Sequence, residues 1–121
     1  DSKIKLPIVE EHAGFIKTAD QVLKIFQMVN SRWFGLLLDI GSFPTDDPYK
    51  DVEKVVHLAV NWQIKENVKT ANGPQETDLP RLFEIIRNGN YRGYLPIETL
   101  GPGDPYEKVT AFLTKVRNVM G

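Results

Sequence analysis

Short apolar runs alternate with segments of helical period four times along this chain, and no other feature of it restricts the fold as much. Residues 4–10 read as a first strand, with Pro7 tolerated only near its start or at a sheet edge. Thr18 and Gln21 stand at capping-box spacing, so a helix opens there and buries Val22, Ile25, Phe26 and Val29. Residues 33–39 are nearly continuous apolar sequence up to Asp39, which suits a strand covered on both faces. Asp47-Pro48 is an N-cap with a first-turn proline, and Val52, Val55, Val56 and Ala59 give the second helix its apolar face. A weaker strand covers residues 60–65, and the polar stretch 67–76 is expected as a surface loop. Leu79, Leu82, Phe83 and Ile86 mark a third helix, closed by Asn88-Gly89. The stretch from Tyr91 to Glu98 carries the fourth strand, which stops at Glu98. Asp104-Pro105, with Glu107 at capping-box distance, then opens a last helix over Val109, Phe112, Leu113, Val116 and Met120.

Strict alternation of this kind implies a parallel sheet with right-handed crossovers. The 121 residues divide into four units of about 30, close to the spacing of an eight-unit barrel of roughly 250 residues. An open doubly wound sheet is the competing architecture, but it gathers ligand groups at a switch point, and no Gly-rich fingerprint follows any of these strands. The fold class expected is therefore α/β, half of a (β/α)8 TIM-type barrel. Residues 1–121 would form one partial domain.

Composition narrows the partners. A net charge of -1 leaves no basic footprint for nucleic acid and no polybasic patch for a membrane. No apolar run approaches the roughly 20 residues that span a bilayer. The chain shows no signal-peptide pattern and begins at Asp1 rather than Met, so it reads as a mature or excised piece. The expectation is a soluble protein of the cytoplasm rather than the periplasm. With no cysteine, disulfides and thiolate sites are excluded.

Three of the four strands stop on an acid: Glu10, Asp39 and Glu98. The third strand brings Gln63 and Glu66 near its end. In a parallel barrel all of these ends point to one face, where active sites are built. Gathered carboxylates repel one another and need a cation or a shared proton. A divalent ion with oxygen ligands is the natural partner. The plainer reading, that each acid only solvates a strand end, fits one acid better than three.

The fragments Val9-Glu10-Glu11-His12, Leu38-Asp39-Ile40-Gly41, Gln63-Ile64-Lys65-Glu66 and Tyr91-Arg92-Gly93-Tyr94 through Ile97-Glu98 together resemble the xylose-isomerase-like barrels, in particular the sugar phosphate isomerases and epimerases. The resemblance covers essentially the whole chain and corresponds to the C-terminal half of such a barrel. It implies a divalent metal, Mn, Mg, Co or Zn, held by Glu10, Asp39, the residue at position 63 and Glu98. It also implies that Glu10 and Glu98 shuttle a proton between adjacent sugar carbons. The sequence departs from the family at Gln63, where a histidine is the rule. A neutral amide oxygen ligates Zn, Mn or Co less well than imidazole and suits Mg or Ca better. Weak or absent metal binding is the consequence expected.

His12 and Lys65 are candidates to contact substrate, with a salt bridge to Glu66 or another acid as the alternative for Lys65. His57, on a helix, is expected at the surface or in packing. Gly101 and Gly103 could cradle a phosphate, although short Gly-Pro-Gly loops are more often simple turns. Trp62 should face away from the barrel interior, and Tyr91, Arg92 and Gly93 should serve structure. The function expected is metal-assisted proton transfer beside the carbonyl of a small sugar or sugar phosphate. The alternatives are a keto-sugar lyase or hydrolase, or a carbohydrate-binding barrel that lost catalysis with its histidine. The missing half of the barrel would come from a longer chain or from self-association.

Overall fold

The computed structural model describes residues 6–9, as backbone, and residues 14–121. Four parallel strands form its sheet: β1 (Leu6–Val9), β2 (Phe34–Asp39), β3 (Ala59–Lys65) and a short last strand, Ile97–Glu98. Their order across the sheet is their order along the chain. No reversal of direction creates a switch point, so the barrel-type winding holds and the doubly wound alternative fails. Pro7 sits in the strand at one edge, where its missing N–H does least harm.

Helices follow the strands in turn. Helix α1 (Ala19–Val29) opens on the capping box read from the sequence: Thr18 Oγ1 accepts from the Gln21 amide, and Gln21 Oε1 accepts from the Thr18 amide. Helix α2 (Pro48–Val55) begins at its Asp47 N-cap with proline in the first turn. It stops four residues short of the expected end. Val56–Leu58 tighten into a 3-10 turn, and Ala59 already belongs to β3. His57 is exposed on that turn.

The stretch 67–76 is not a loop. It forms a hairpin of β4 (Asn67–Thr70) and β5 (Gly73–Glu76), paired antiparallel outside the main sheet. Val68 and Thr70 point inward and are buried, while Asn67 and Lys69 are exposed. The two-residue turn is Ala71-Asn72, and Gly73, with φ of +109°, opens the second strand. The last strand is therefore β6. Helix α3 (Leu79–Asn88) precedes it and α4 (Pro105–Met120) follows it.

Side chains on the helix side of the sheet build the core. Leu36 and Leu38 of β2 and Trp62 and Ile64 of β3 are almost fully buried against Val22, Val52, Val55, Leu82, Phe83 and Ile86. Trp62 thus lies in the core as expected, edge-on to Tyr91 at 5.7 Å between ring centroids. The Tyr91 hydroxyl donates to the Tyr94 carbonyl oxygen at 3.0 Å and lies 3.4 Å from that of Val60, which fixes the approach to β6. The terminal helices bury less than their stripes foretell. Val29 on α1 and Val109 and Met120 on α4 are exposed, whereas Phe112 and Val116 are buried. Each of these helices packs against one neighbouring helix, while α2 and α3 have one on either side. No helix among the described residues is long and apolar enough to cross a membrane.

Candidate functional site

Successive residues of a strand face opposite sides, so the burial of Trp62 and Ile64 on the helix side turns Asn61, Gln63 and Lys65 to the other face. Register carries that assignment across the sheet. Asp39 stands opposite Gln63, and Glu98 stands opposite Lys65. Three adjacent parallel strands therefore deliver Asp39, Gln63, Lys65 and Glu98 to one face at their C-terminal ends. This is the end at which parallel barrels place their chemistry.

Asp39 is the anchor. It is 3 % exposed, and both of its oxygens are used. Oδ1 accepts from the Gly41 amide at 2.8 Å, and Oδ2 accepts from Lys65 Nζ at 2.6 Å. The same ammonium lies 3.2 Å from Glu98 Oε2. The Lys65 side chain is 12 % exposed and that of Glu98 32 %, so the cluster opens toward solvent on the Glu98 side. Burial works against the Lys65 ammonium. The hydrogen bond and charge of Asp39, followed by those of Glu98, outweigh it and hold the group above the usual lysine value of 10.5.

The backbone around Lys65 is fixed as well. Its carbonyl accepts from the Thr77 hydroxyl at 2.6 Å, and the Thr77 amide donates to the Glu66 carbonyl at 2.9 Å. The β4–β5 hairpin is thus sewn to the end of β3, directly beside the cluster. Glu66 takes another partner, Lys108 of α4, at 3.5 Å. Lys65 consequently pairs with two acids distant in sequence and not with its neighbour. Gly41 has a specific place here: a Cβ on it would lie 2.9 Å from Lys65 Cδ and 3.3 Å from Asp39 Oδ1. The Lys65 stem passes over that backbone because no side chain is there.

Glu10 and His12 lie outside the described residues. The loop at Gly101 and Gly103 turns with φ of +85° and +116°, and the Lys108 ammonium reaches the Leu100 carbonyl there. A recess of about 60 Å³ is lined by Lys65, Glu66, Asn67, Glu98 and Leu100. Ligand pockets usually measure several hundred Å³, on the order of 300 to 1,000. The described residues thus form one wall of a site.

Among the described residues, the donor set fits a divalent ion poorly. Asp39 and Glu98 are the two carboxylates in the cluster, Gln63 is neutral, and the described residues contain no group of three His, Asp or Glu side chains placed to hold a metal. An ion about 2.0 to 2.6 Å from the carboxylate oxygens would stand within about 5 Å of the Lys65 ammonium. Two unit charges 4 Å apart repel by about 4 kcal/mol at an effective dielectric of about 20, and a divalent ion doubles that.

The fold and the rim cluster define a class: half of a TIM-type parallel barrel carrying ionisable groups at the C-terminal ends of its strands. The crystal structure of a xylose isomerase domain protein from Planctomyces limnophilus is similar to it, with a TM-score of 0.68 at 18% identity over 84% of this chain. The likeness shows a xylose-isomerase-like fold. This chain spans 41% of the length of that one. No family model matches the chain, and no curated protein matches it in sequence.

Proposed function

We propose that this chain is the proton-transferring half of a sugar isomerase or epimerase, acting next to the carbonyl of a small sugar or sugar phosphate. The observation that supports this best is the Asp39–Lys65–Glu98 cluster at the ends of three adjacent parallel strands. Moving a proton between adjacent carbons needs a carboxylate near the C–H and a positive charge near the oxygen, where negative charge develops. Glu98, the more open acid, is placed to carry the proton. Lys65 is placed to face the oxyanion, and Asp39 holds Lys65 in position. A divalent metal, where bound, would supply Lewis-acid polarisation of the sugar oxygens, with Glu10, Asp39, Gln63 and Glu98 as the ligands expected of the family. The geometry of Asp39 and Lys65 favours weak binding or none. The remaining wall would come from further barrel strands, in a longer chain or a second copy.

Incubating the protein in deuterated water with a panel of ketoses and aldoses tests the reading. Deuterium should enter the carbon next to the carbonyl, and Glu98→Gln should slow it at least a hundredfold, the lower range for a lost general base. Exchange that is absent with every sugar would leave a carbohydrate-binding barrel as the better reading, and exchange untouched by Glu98→Gln would take the base role away from Glu98.

A further inference from the structure

We infer that the Lys65 ammonium is a built-in replacement for a divalent cation between Asp39 and Glu98, so that this site is metal-independent. The inference concerns the same cluster as the function proposed above, and rests on that reading only for what the charge does to a substrate.

Three observations meet at one atom. Lys65 Nζ is 2.6 Å from Asp39 Oδ2 and 3.2 Å from Glu98 Oε2, so a single cation already bridges the two strand-end carboxylates. The other oxygen of Asp39 accepts from the Gly41 amide, so both oxygens of that buried carboxylate already have a partner within the chain. Room for the lysine stem is built into the backbone, since a Cβ at Gly41 would meet Lys65 Cδ. Gln63, across the sheet from Asp39, adds no negative charge and no imidazole. A metal drawn to the same oxygens would have to compete with an ammonium that the strand already delivers. Surface lysine–acid pairs are commonplace and carry little meaning. This one is different because Asp39 is buried and the lysine serves two acids on two strands.

The chemical consequence is a single positive charge with N–H donors where a doubly charged Lewis acid would stand. An ammonium can donate a hydrogen bond to one developing oxyanion. It cannot clamp two sugar oxygens as an ion with open coordination positions does. The substrate class that suits it has one carbonyl to polarise, and selectivity for a cis-diol is not required.

The test reads metal binding, not turnover, on the full protein that carries this chain. Elemental analysis of wild type should find less than 0.1 equivalent of Mn, Co or Zn, and titration calorimetry should show no saturable site for any of them. Lys65→Met, of similar length without the charge, should bind at least one of the three ions at least tenfold more tightly, and Asp39→Asn added to it should abolish the gain. Gln63→His with Lys65 in place should change affinity less than threefold. Stoichiometric metal in the wild type overturns the inference, as does a tenfold gain from Gln63→His alone or no gain from Lys65→Met. If Lys65→Met does not fold, the wild-type and Gln63→His titrations decide. Metal results as expected, with no deuterium entering any sugar, would uphold the built-in cation and sink the isomerase reading. Exchange that requires bound metal would do the reverse.

Discussion

Lys65 is worth more to this protein than its sequence position discloses. Asp39 and Glu98 were legible because an acid closing an apolar run stands out, but no pattern says which acid an ammonium will reach. The partners of Lys65 are 26 residues behind it and on the next strand. Glu66 beside it was an equal candidate, and only strand register removes it, since neighbours on a strand face opposite sides. Removing the charge from Lys65 leaves the Asp39 carboxylate buried and uncompensated, which costs about 3 to 5 kcal/mol. Lys65→Met should therefore unfold at markedly lower denaturant than wild type. Gly41 offers a finer probe. A methyl group there must displace the Lys65 stem, so Gly41→Ala should cost about 1 to 3 kcal/mol as overpacking does. In a Lys65→Ala background the same change should cost less by more than about 0.5 kcal/mol, the limit within which uncoupled sites add. A double-mutant cycle from urea melts checks this, and equal costs in both backgrounds would show that the crowding is not felt.

Among the elements, helices were read well because their ends are written locally. Thr18, Asp47 and Asp104 each cap through a hydrogen bond within three residues. The β4–β5 hairpin was missed because Asn67–Thr70 is too polar for a core strand, although Val68 and Thr70 alternate inward and the Ala71-Asn72 turn leads into a glycine with positive φ. Gly89 was recognised for a different reason from the one that operates. Its φ is -73°, ordinary for any residue, while Asn90 takes the left-handed turn with φ of 54°. Glycine is needed at 89 because a Cβ would lie 2.6 Å from Val56 Cγ2. Asp47 shows how the elements are tied together on the helix side. It caps α2 and meets Arg81 of α3 at 2.8 Å, while Arg81 lies over the Tyr49 ring. The hydrogen bond from Arg81 holds the Asp47 carboxyl below its usual 3.8. A depressed carboxyl contributes stability that is complete above the ordinary value and is lost as pH falls through the depressed one. Asp47→Ala should therefore cost about 1 kcal/mol near neutrality, mostly from the lost cap. The difference from wild type should shrink below about pH 3.8, and thermal melts across pH 2 to 7 read it directly.

At the scale of the whole molecule, the sheet is complete in its winding and incomplete in its closure. Alternation of strand and helix was enough to derive a parallel sheet, and spacing was enough to prefer a barrel, because both follow from where apolar residues recur. Closure is not written in any residue. Among the described strands, β1 pairs only with β2 and β6 only with β3, so two rows of backbone donors and acceptors face outward. On the face that would line a barrel, β3 presents Asn61, Gln63 and Lys65. That polarity lowers the cost of exposing the face but leaves the edges unsatisfied, and open edges invite pairing with another strand. The 121 residues expressed alone should consequently associate through those edges. Sedimentation should show a species of at least twice 13.8 kDa, or a distribution that grows with concentration. Joined to further barrel strands that pair both edges, the same residues should sediment as one defined species. A cooperative, concentration-independent monomer of 13.8 kDa would show that the edges are protected without a partner, and the half-barrel would then have to be regarded as a domain in its own right.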